Sequence, residues 1–210
     1  MCGRVTLTMP DVDEVARLLE ARVSPADAAL YRPRWNAAPT DRHWVVEPSP
    51  QGRVLIPATW GFGSGAINAR SETAERIFRK AFAERRVVVP ADGFYEWTGP
   101  RVARRPVWFR PRAGGLLYLA GLAETLPDGR LGFVVLTTEA VGEVACVHDR
   151  MPVLLPREKV QSWLEGPDPG LLVPADILAG TEVSPRVNDV KNDDPSLLTP
   201  AAPSSQLPLF

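Results

Sequence analysis

The sequence predicts one α+β domain with a largely antiparallel, barrel-like sheet and flanking helices. Its 210 residues are 45% hydrophobic and 23% charged, which is the size and composition of a soluble domain with one buried core. Five apolar or alternating runs separated by turn residues occupy the middle of the chain, as is typical of strands. Helical periodicity occurs on either side of these runs, so helices should flank the sheet.

The five predicted strands are residues 86–90, 94–97, 107–110, 116–122 and 131–138. Asp92-Gly93 separates the first two, and Pro127-Asp128-Gly129 separates the last two, with residue types that favour tight turns. Short strands joined by tight turns favour antiparallel pairing. This pattern is the basis for the barrel-like sheet.

Helical spacing predicts four helices, at residues 11–22, 71–85, 157–165 and 175–178. We expect Ser71 to cap the second helix and Ile77 and Phe82 to face the core. Asn68 and Arg70 would then lie at the start of this helix, where free N–H groups and the helix dipole favour an anion. Ordinary capping is the alternative role for this segment.

Composition predicts the domain bounds, the cellular location and the cofactor requirement of the protein. We expect one domain over residues 1–198 and a disordered tail over residues 199–210, where Pro, Ala and Ser accumulate. Neither a membrane span nor a signal peptide is indicated, so the protein should be cytoplasmic and without a membrane partner. We also expect it to be a monomer. Cys2 and Cys146 are the two cysteines, and with His43 and His148 they lack the spacing of zinc ligands, so we expect no metal or other cofactor.

The net charge of −1 excludes a uniformly basic nucleic-acid-binding surface. A local patch remains possible in residues 70–86, where six Arg or Lys residues stand against three Glu residues. Such a segment either attracts phosphates or forms a solvated helix face with internal ion pairs.

Cys2 carries the most specific chemistry. If Met1 is removed, Cys2 presents an α-amine and a thiol on adjacent carbons. Their ordinary pKa values, about 8 and about 8.5, leave a useful fraction of neutral amine at neutral pH. Such a pair condenses with an aldehyde to an imine, and the thiol can then close a thiazolidine ring. The alternatives are an accidental residue on a frayed terminus and a thiol nucleophile that attacks an acyl carbon.

Glu96 and His148 are the candidate proton-transfer groups. Strand alternation places Glu96 on the same face as Phe94, where desolvation would raise the pKa of its carboxyl group. An edge-strand glutamate in solvent is the alternative. His148 has Asp149 and Arg150 beside it, which can set its protonation, although a lone histidine is more often structural. His43 has no such neighbours, and we interpret it as structural.

Seven segments, in this order, resemble the SRAP family, the SOS response-associated peptidases or abasic-site processing proteins. They span nearly the whole chain except the tail, and together they are highly specific. They are residues 1–4 (MCGR), 35–40 (WNAAPT), 60–61 (WG), 68–73 (NARSET), 89–97 (VPADGFYEW), 148–152 (HDRMP) and 187–193 (VNDVKND).

The resemblance implies that Cys2 forms a thiazolidine with the aldehyde of an abasic site in single-stranded DNA. Glu96 would shuttle protons, His148 would assist ring opening or reversal, and Asn68 would orient the adduct. The protein would act without cofactor in the DNA damage (SOS) response, near the nucleoid, with lyase-like and autopeptidase chemistry. A cysteine peptidase, acting on the Met1–Cys2 bond, and a non-covalent DNA-binding or clamp-associated adaptor remain alternatives.

The resemblance also implies a DNA-binding surface. Arg4, Arg70 and Arg150 match positions that hold the DNA backbone. The residues expected to shape the surface are Trp35, Asn36, Pro39, Trp60 and Trp97. Base stacking on an aromatic side chain tolerates any sequence, which suits a damage sensor. The link between Trp60 and Asn68 is shorter and richer in glycine than is common in the family.

The last five residues resemble the short motif by which bacterial replication and repair proteins bind the sliding clamp. Leu209 and Phe210 would fill an apolar pocket, and Gln206 would form a hydrogen bond beside this pocket; Leu207 belongs to the same motif. The alternative is that these residues pack back onto the domain.

Overall fold

The computed structural model describes residues 2–201, without the side chain of Arg101. This part of the chain forms the predicted α+β fold. Its strands are β1 (Val5–Leu7), β2 (Ala21–Arg22), β3 (Arg34–Ala37), β4 (Arg42–Ser49), β5 (Gly52–Trp60), β6 (Asn68–Arg70), β7 (Arg86–Ala91), β8 (Gly93–Thr98), β9 (Arg105–Pro111), β10 (Leu117–Thr125), β11 (Leu131–Glu139), β12 (Arg150–Pro152) and β13 (Leu178–Glu182). Its α-helices are α1 (Val12–Leu18), α2 (Pro25–Ala28), α3 (Ser71–Ile77), α4 (Arg79–Glu84), α5 (Gly142–Ala145) and α6 (Val160–Glu165).

The strands form two sheets, and the larger one closes on itself. Its order is β12-β11-β10-β7-β4-β5-β2, and β5 also pairs with β11 in parallel, through Thr59 with Gly132 and Trp60 with Phe133. This pairing completes a ring of β4, β5, β7, β10 and β11, which is the barrel-like element. β6 continues along the same edge of β11 and pairs Asn68 with Val135. The smaller, antiparallel sheet has the order β13-β9-β8-β1-β3.

Strand alternation divides the interior into layers. In β7, Val87 and Val89 join the core between the two sheets, whereas Val88 joins the core under the helices. In β8, Phe94 faces the core between the sheets, and Tyr95 faces a third, smaller cluster with residues near the C-terminal end of the described chain. The strand β8 is therefore buried on both faces, and a polar side chain on it must find its partners inside the protein.

The middle strands confirm the prediction, but the helices differ from it. The five predicted strands agree with β7 to β11 within three residues at each end. The predicted helix 11–22 ends at Leu18, because Glu20 takes a left-handed conformation with φ of 51° and residues 21 and 22 join the sheet as β2. The strands before residue 60 were not predicted.

The second predicted helix is two helices. Phe78, with φ of −112° and ψ of 40°, interrupts it and packs edge-on against Phe62 at 5.5 Å between ring centroids. The break leaves Ile77 57% exposed, so its predicted burial is wrong, while Phe82 is buried as expected. Ser71 is not the cap: Arg70 is, and it makes no side-chain capping bond.

The last two predicted helices had different outcomes. The segment 157–165 is a 3-10 turn, Arg157–Lys159, that continues into α6 and ends before Gly166, as expected. The predicted helix at 175–178 is wrong, because the chain becomes strand β13 at Leu178 and pairs with the open edge of β9. Burial of Leu178 against the inter-sheet core accompanies this pairing.

Two further predictions differ from the structure: the surface patch in residues 70–86 and the end of the domain at residue 198. Arg86 is buried and donates to the carbonyl groups of Phe82, Ala83 and Trp163, so it fastens α4 to α6 and does not belong to a surface patch. Ala201 still donates to the Glu182 carbonyl oxygen at 2.8 Å, so pairing with the sheet extends beyond residue 198.

The clamp-like motif at 206–210 lies outside the described residues. Across residues 2–201, the helices are all too short or too polar to span a bilayer.

Candidate active site around Cys2

Cys2 lies inside the protein, three residues before β1, the strand between β8 and β3 in the smaller sheet. Its side chain is fully buried, in the core between the sheets. The β1–β8 register pairs Val5 with Phe94, and the Tyr95 N–H donates to the Arg4 carbonyl at 3.0 Å. Continued by two residues from the Val5–Phe94 pair, the register places Glu96 opposite Gly3. The frayed-terminus interpretation of Cys2 is therefore excluded, and the segment that carries Cys2 lies beside β8, the strand that carries Glu96.

Glu96 is a buried carboxyl group next to this cysteine. It is 2% exposed and shares the inward face of β8 with Phe94, as the alternation predicted. Burial raises the pKa of Glu96, and His148 acts in the opposite direction. Burial also raises the pKa of the Cys2 thiol, and the nearby Glu96 raises it further. The thiol is therefore neutral at neutral pH, and a carboxyl group able to hold or accept a proton lies beside it.

Asn68 fixes the backbone of Cys2. It lies on β6, and its Nδ2 donates to the Cys2 carbonyl oxygen at 2.7 Å. Its Oδ1 is buried and accepts no hydrogen bond from the described residues. An acceptor without a protein donor is costly unless a ligand supplies one. Asn68 thus performs a role other than helix capping and offers an acceptor beside the cysteine.

His148 enters the site from the turn after α5. Its Nδ1 lies 2.9 Å from the Arg150 backbone nitrogen and 2.8 Å from Asp149 Oδ1. Each contact fits a different protonation state: a neutral ring accepts from the Arg150 N–H, whereas a protonated ring donates to Asp149. In the neutral state, the proton is on Nε2, so Nε2 is the donor. His148 acts on the pKa of Glu96, which shows that the two groups lie close together.

Glu72 connects the two halves of the site, a role that the sequence did not indicate. Its carboxylate receives both terminal nitrogens of Arg150, at 2.6 and 2.8 Å, and Arg150 also donates to the Thr137 carbonyl. The pair joins α3, which follows Asn68, to the segment that carries His148. The side chain of Arg150 is only 12% exposed, so little of it is presented to a DNA phosphate.

The predicted DNA-contact residues divide into exposed and buried groups. Arg70 is exposed at the start of α3, and Trp35, Pro39 and Trp97 are half-buried. Asn36 and Trp60 are buried and bond internally, Trp60 through Nε1 to the Ile67 carbonyl at 2.9 Å. These two residues support the surface and present no side-chain area to DNA in this structure.

The segment Pro185–Asn188 and the residues after it hold Arg4 and Trp97 in place. Arg4 Nη1 donates to Asn36 Oδ1 at 2.9 Å and to the Val187 carbonyl at 2.8 Å, and its guanidinium lies 5.7 Å from the Trp97 ring centroid. Trp97 Nε1 donates to Asn188 Oδ1 at 2.6 Å. Sequence reasoning assigned no role to Asn188. No local pattern could have indicated this role, because Trp97 and Asn188 are 91 positions apart in the chain.

Titratable residues near Cys2 do not form a metal centre. Within residues 2–201, no three His, Cys, Asp or Glu side chains are arranged to bind a metal ion. His43 lies apart from the site, buried in β4, with Nε2 2.8 Å from the Pro90 carbonyl oxygen. It occupies the structural position that the sequence predicted.

Comparison with known proteins identifies the family of this chain. The family model described as SOS response associated peptidase (SRAP) matches residues 1–190. The chain belongs to the SRAP family. It is 31% identical to the abasic site processing protein YoqW of Bacillus subtilis (strain 168), with 94% of this chain and 99% of the relative covered. It is 28% identical to the abasic site processing protein YedK of Escherichia coli (strain K12), with 95% and 100% covered.

The SRAP fold also appears among crystal structures. A protein from Bacteroides thetaiotaomicron superposes with a TM-score of 0.82 at 18% identity, covering 96% of this chain and all of the other. At this identity the likeness concerns the fold alone. It supports the two-sheet fold.

Proposed function

We propose that this SRAP protein binds abasic sites in single-stranded DNA during the DNA damage response and links to them covalently through Cys2. One observation carries the proposal: a buried cysteine at the second position lies beside a carboxyl group of raised pKa and has its carbonyl held by Asn68. The names of the relatives YoqW and YedK, abasic site processing proteins, give the substrate class.

The proposed reaction requires Cys2 to be the first residue, after removal of Met1. The amine of Cys2 adds to the aldehyde of the ring-opened sugar, the resulting carbinolamine loses water, and an imine forms. The sulfur then adds to the imine carbon while the thiol proton ends on the nitrogen. One water molecule is released in total, nothing is oxidised or reduced, and a five-membered thiazolidine remains.

Glu96 and His148 supply the proton transfers of this sequence. A carboxyl group of raised pKa can protonate the departing hydroxyl group of the carbinolamine and then accept the thiol proton as the ring closes. This transfer matters because burial keeps the thiol neutral, so sulfur attacks only as its proton leaves. His148, with Nε2–H as donor, can protonate the ring oxygen of the closed sugar and so expose the aldehyde.

The decisive experiment compares crosslinking on denaturing gels. Wild-type protein and single-stranded DNA with one abasic site should give a stable slower band, and Cys2→Ser should give none. Cys2→Ser keeps the amine, so borohydride should still trap an imine with it. Cys146→Ala is the matched control, because Cys146 is an exposed cysteine outside the site, and it should crosslink like wild type. A stable adduct with Cys2→Ser, or none with wild type, would reject the proposal.

The same site is also the candidate for peptidase chemistry on the Met1–Cys2 bond, which the family name suggests. A buried thiol beside a carboxyl group could attack the carbonyl carbon of Met1. The Met1–Cys2 amide bond would break, Glu96 would pass the thiol proton to the departing Cys2 amine, and water would then hydrolyse the thioester to release methionine and restore the thiol. Intact mass after expression separates this candidate from removal by host enzymes. Retention of Met1 in both Cys2→Ser and Glu96→Gln would support autocatalytic removal, and its loss in both would oppose it.

Clamp binding by residues 206–210 stays a prediction. Deleting these residues should abolish binding to the bacterial sliding clamp in surface plasmon resonance and leave crosslinking unchanged. Unaltered clamp binding after the deletion would reject the role of the motif.

A further inference from the structure

A small cavity lies at the turn from β3 into β4, outside the proposed active site. It encloses about 230 Å³, which is below the range of about 300–1,000 Å³ that is usual for small-molecule sites, so it fits one functional group and not a whole nucleotide. The residues assigned above to catalysis or to DNA contact do not line it. Its walls are formed by Leu30, Arg32, Arg34, Asp41, Arg42 and Trp44.

Two walls of this cavity are held rigidly. Arg34 donates from Nε to Asp193 and from Nη2 to Asp41 at 2.6 Å, and its side chain is only 11% exposed. Trp44 is 4% exposed, and its ring packs on the ring of Tyr31 at 5.5 Å between centroids. Groups that are already fixed lose little conformational entropy when a ligand binds.

The other two arginines carry charge that the protein does not compensate. Arg32 and Arg42 are exposed and make no hydrogen bond or ion pair with any other described residue. The lining has one carboxylate, Asp41, and it is already bound to Arg34. Even when Asp193 behind Arg34 is counted, the arginines outnumber the carboxylates. The cavity therefore favours an anion.

Two further N–H donors of the cavity residues lack an acceptor. Arg34 Nη1 and Trp44 Nε1 form no hydrogen bond within residues 2–201. The planar guanidinium groups of Arg32 and Arg42 add several more donors in the fork geometry that matches phosphate oxygens. The cavity thus combines excess positive charge with more donors than the protein itself can use.

We propose that this cavity binds one phosphomonoester group. Such a group carries a charge of about −2 at neutral pH, which matches the two uncompensated guanidinium groups of Arg32 and Arg42, and it offers three oxygens to the N–H donors. A phosphodiester or a carboxylate carries a single charge and leaves one arginine uncompensated. The phosphomonoester belongs either to a free phosphorylated molecule or to the phosphorylated end of a DNA strand, since the chemistry is the same. The covalent reaction of Cys2 requires neither source.

Methyl phosphate is the direct probe, because it presents the monoester and little else. The dependence of the thermal unfolding midpoint of the full chain on methyl phosphate concentration, at constant ionic strength, gives the affinity. We expect Arg32→Gln and Arg42→Gln each to weaken this affinity about tenfold, and dimethyl phosphate, a monoanionic diester, to bind wild type about tenfold less tightly. Arg76→Gln on α3, with the same charge change at an exposed position, should bind like wild type. Equal stabilisation by both probes, or equal affinity in all variants, would overturn the proposal.

Binding to DNA then separates strand ends from free molecules as the source of the group. The affinity of Cys2→Ala for single-stranded DNA with an abasic site is compared with and without a terminal phosphate, at each end in turn. A tighter complex with one phosphorylated end, lost when Arg42→Gln is added, assigns the cavity to strand ends. Equal affinities, with methyl phosphate still bound, assign it to a free phosphorylated molecule. Because the methyl phosphate assay needs neither DNA nor Cys2, its failure would reject the cavity and leave the covalent function untouched.

Discussion

His43 should make the stability of the fold sensitive to mild acid. The imidazole is buried in β4, and its Nε2 contacts the carbonyl group of Pro90, a residue that has no N–H for the sheet. Burial lowers the pKa of His43 from its ordinary 6.5 to about 4. The unfolded chain therefore binds a proton below pH 6.5, while the native protein resists protonation until about pH 4. Stability is lost as the pH falls through this window.

The size of the effect follows from this pKa difference. The difference between a pKa of about 4 and one of 6.5 corresponds to about 3 kcal/mol once the pH is below both values, and to about 2 kcal/mol between pH 8 and pH 5. His43→Gln keeps a donor for the Pro90 carbonyl group and has no proton to gain. Urea unfolding of both proteins at pH 8 and pH 5 should show a pH-dependent loss about 2 kcal/mol smaller in the variant. The same loss in both proteins would refute the reasoning.

Three other substitutions test the site and the sheet. Glu96→Gln should slow crosslinking by about 10²- to 10⁴-fold with little change in DNA affinity. In a Cys146→Ala background it should also lower the pKa of the Cys2 thiol, because a carboxylate that raises this pKa has been removed, and thiolate absorbance against pH measures the shift. Glu72→Gln loses the bidentate contact to Arg150, which holds the segment that carries His148, and should slow crosslinking; an unchanged rate would show that the pair is not needed. Gly93→Ala would place a Cβ 2.2 Å from Trp108 Nε1 and should lower the free energy of unfolding by about 1–3 kcal/mol, whereas Gly166→Ala, with open space around it, should not; equal urea midpoints would contradict this.

Local sequence patterns predicted the strands in the middle of the chain. β7 to β11 are short apolar or alternating runs bounded by turn residues. The hydrophobic pattern and the positions of the turn residues therefore indicated the same strands. Alternation along β8 also predicted that Glu96 shares a face with Phe94. Helix ends were less predictable, because the break at Phe78 depends on its contact with Phe62 and not on a local breaker.

Long-range contacts account for what the sequence did not indicate. β13 forms where helical spacing suggested a turn of helix, since its pairing with β9 is decided by a distant open edge. The resemblance to SRAP proteins singled out Cys2, Asn68, Glu96 and His148, and the structure brings them together. Glu72 contacts Arg150, which is 78 positions away in the chain, and Asn188 contacts Trp97, which is 91 positions away. No local motif encodes contacts over such separations.

The most direct measurement is peptide mapping of the protein–DNA adduct by mass spectrometry after nuclease and protease digestion and alkylation of free thiols. We expect an N-terminal peptide that begins at Cys2, carries the sugar with loss of one water molecule, and resists alkylation at sulfur. A peptide that still carries Met1, or an adduct in which the Cys2 thiol is alkylated, would contradict the account.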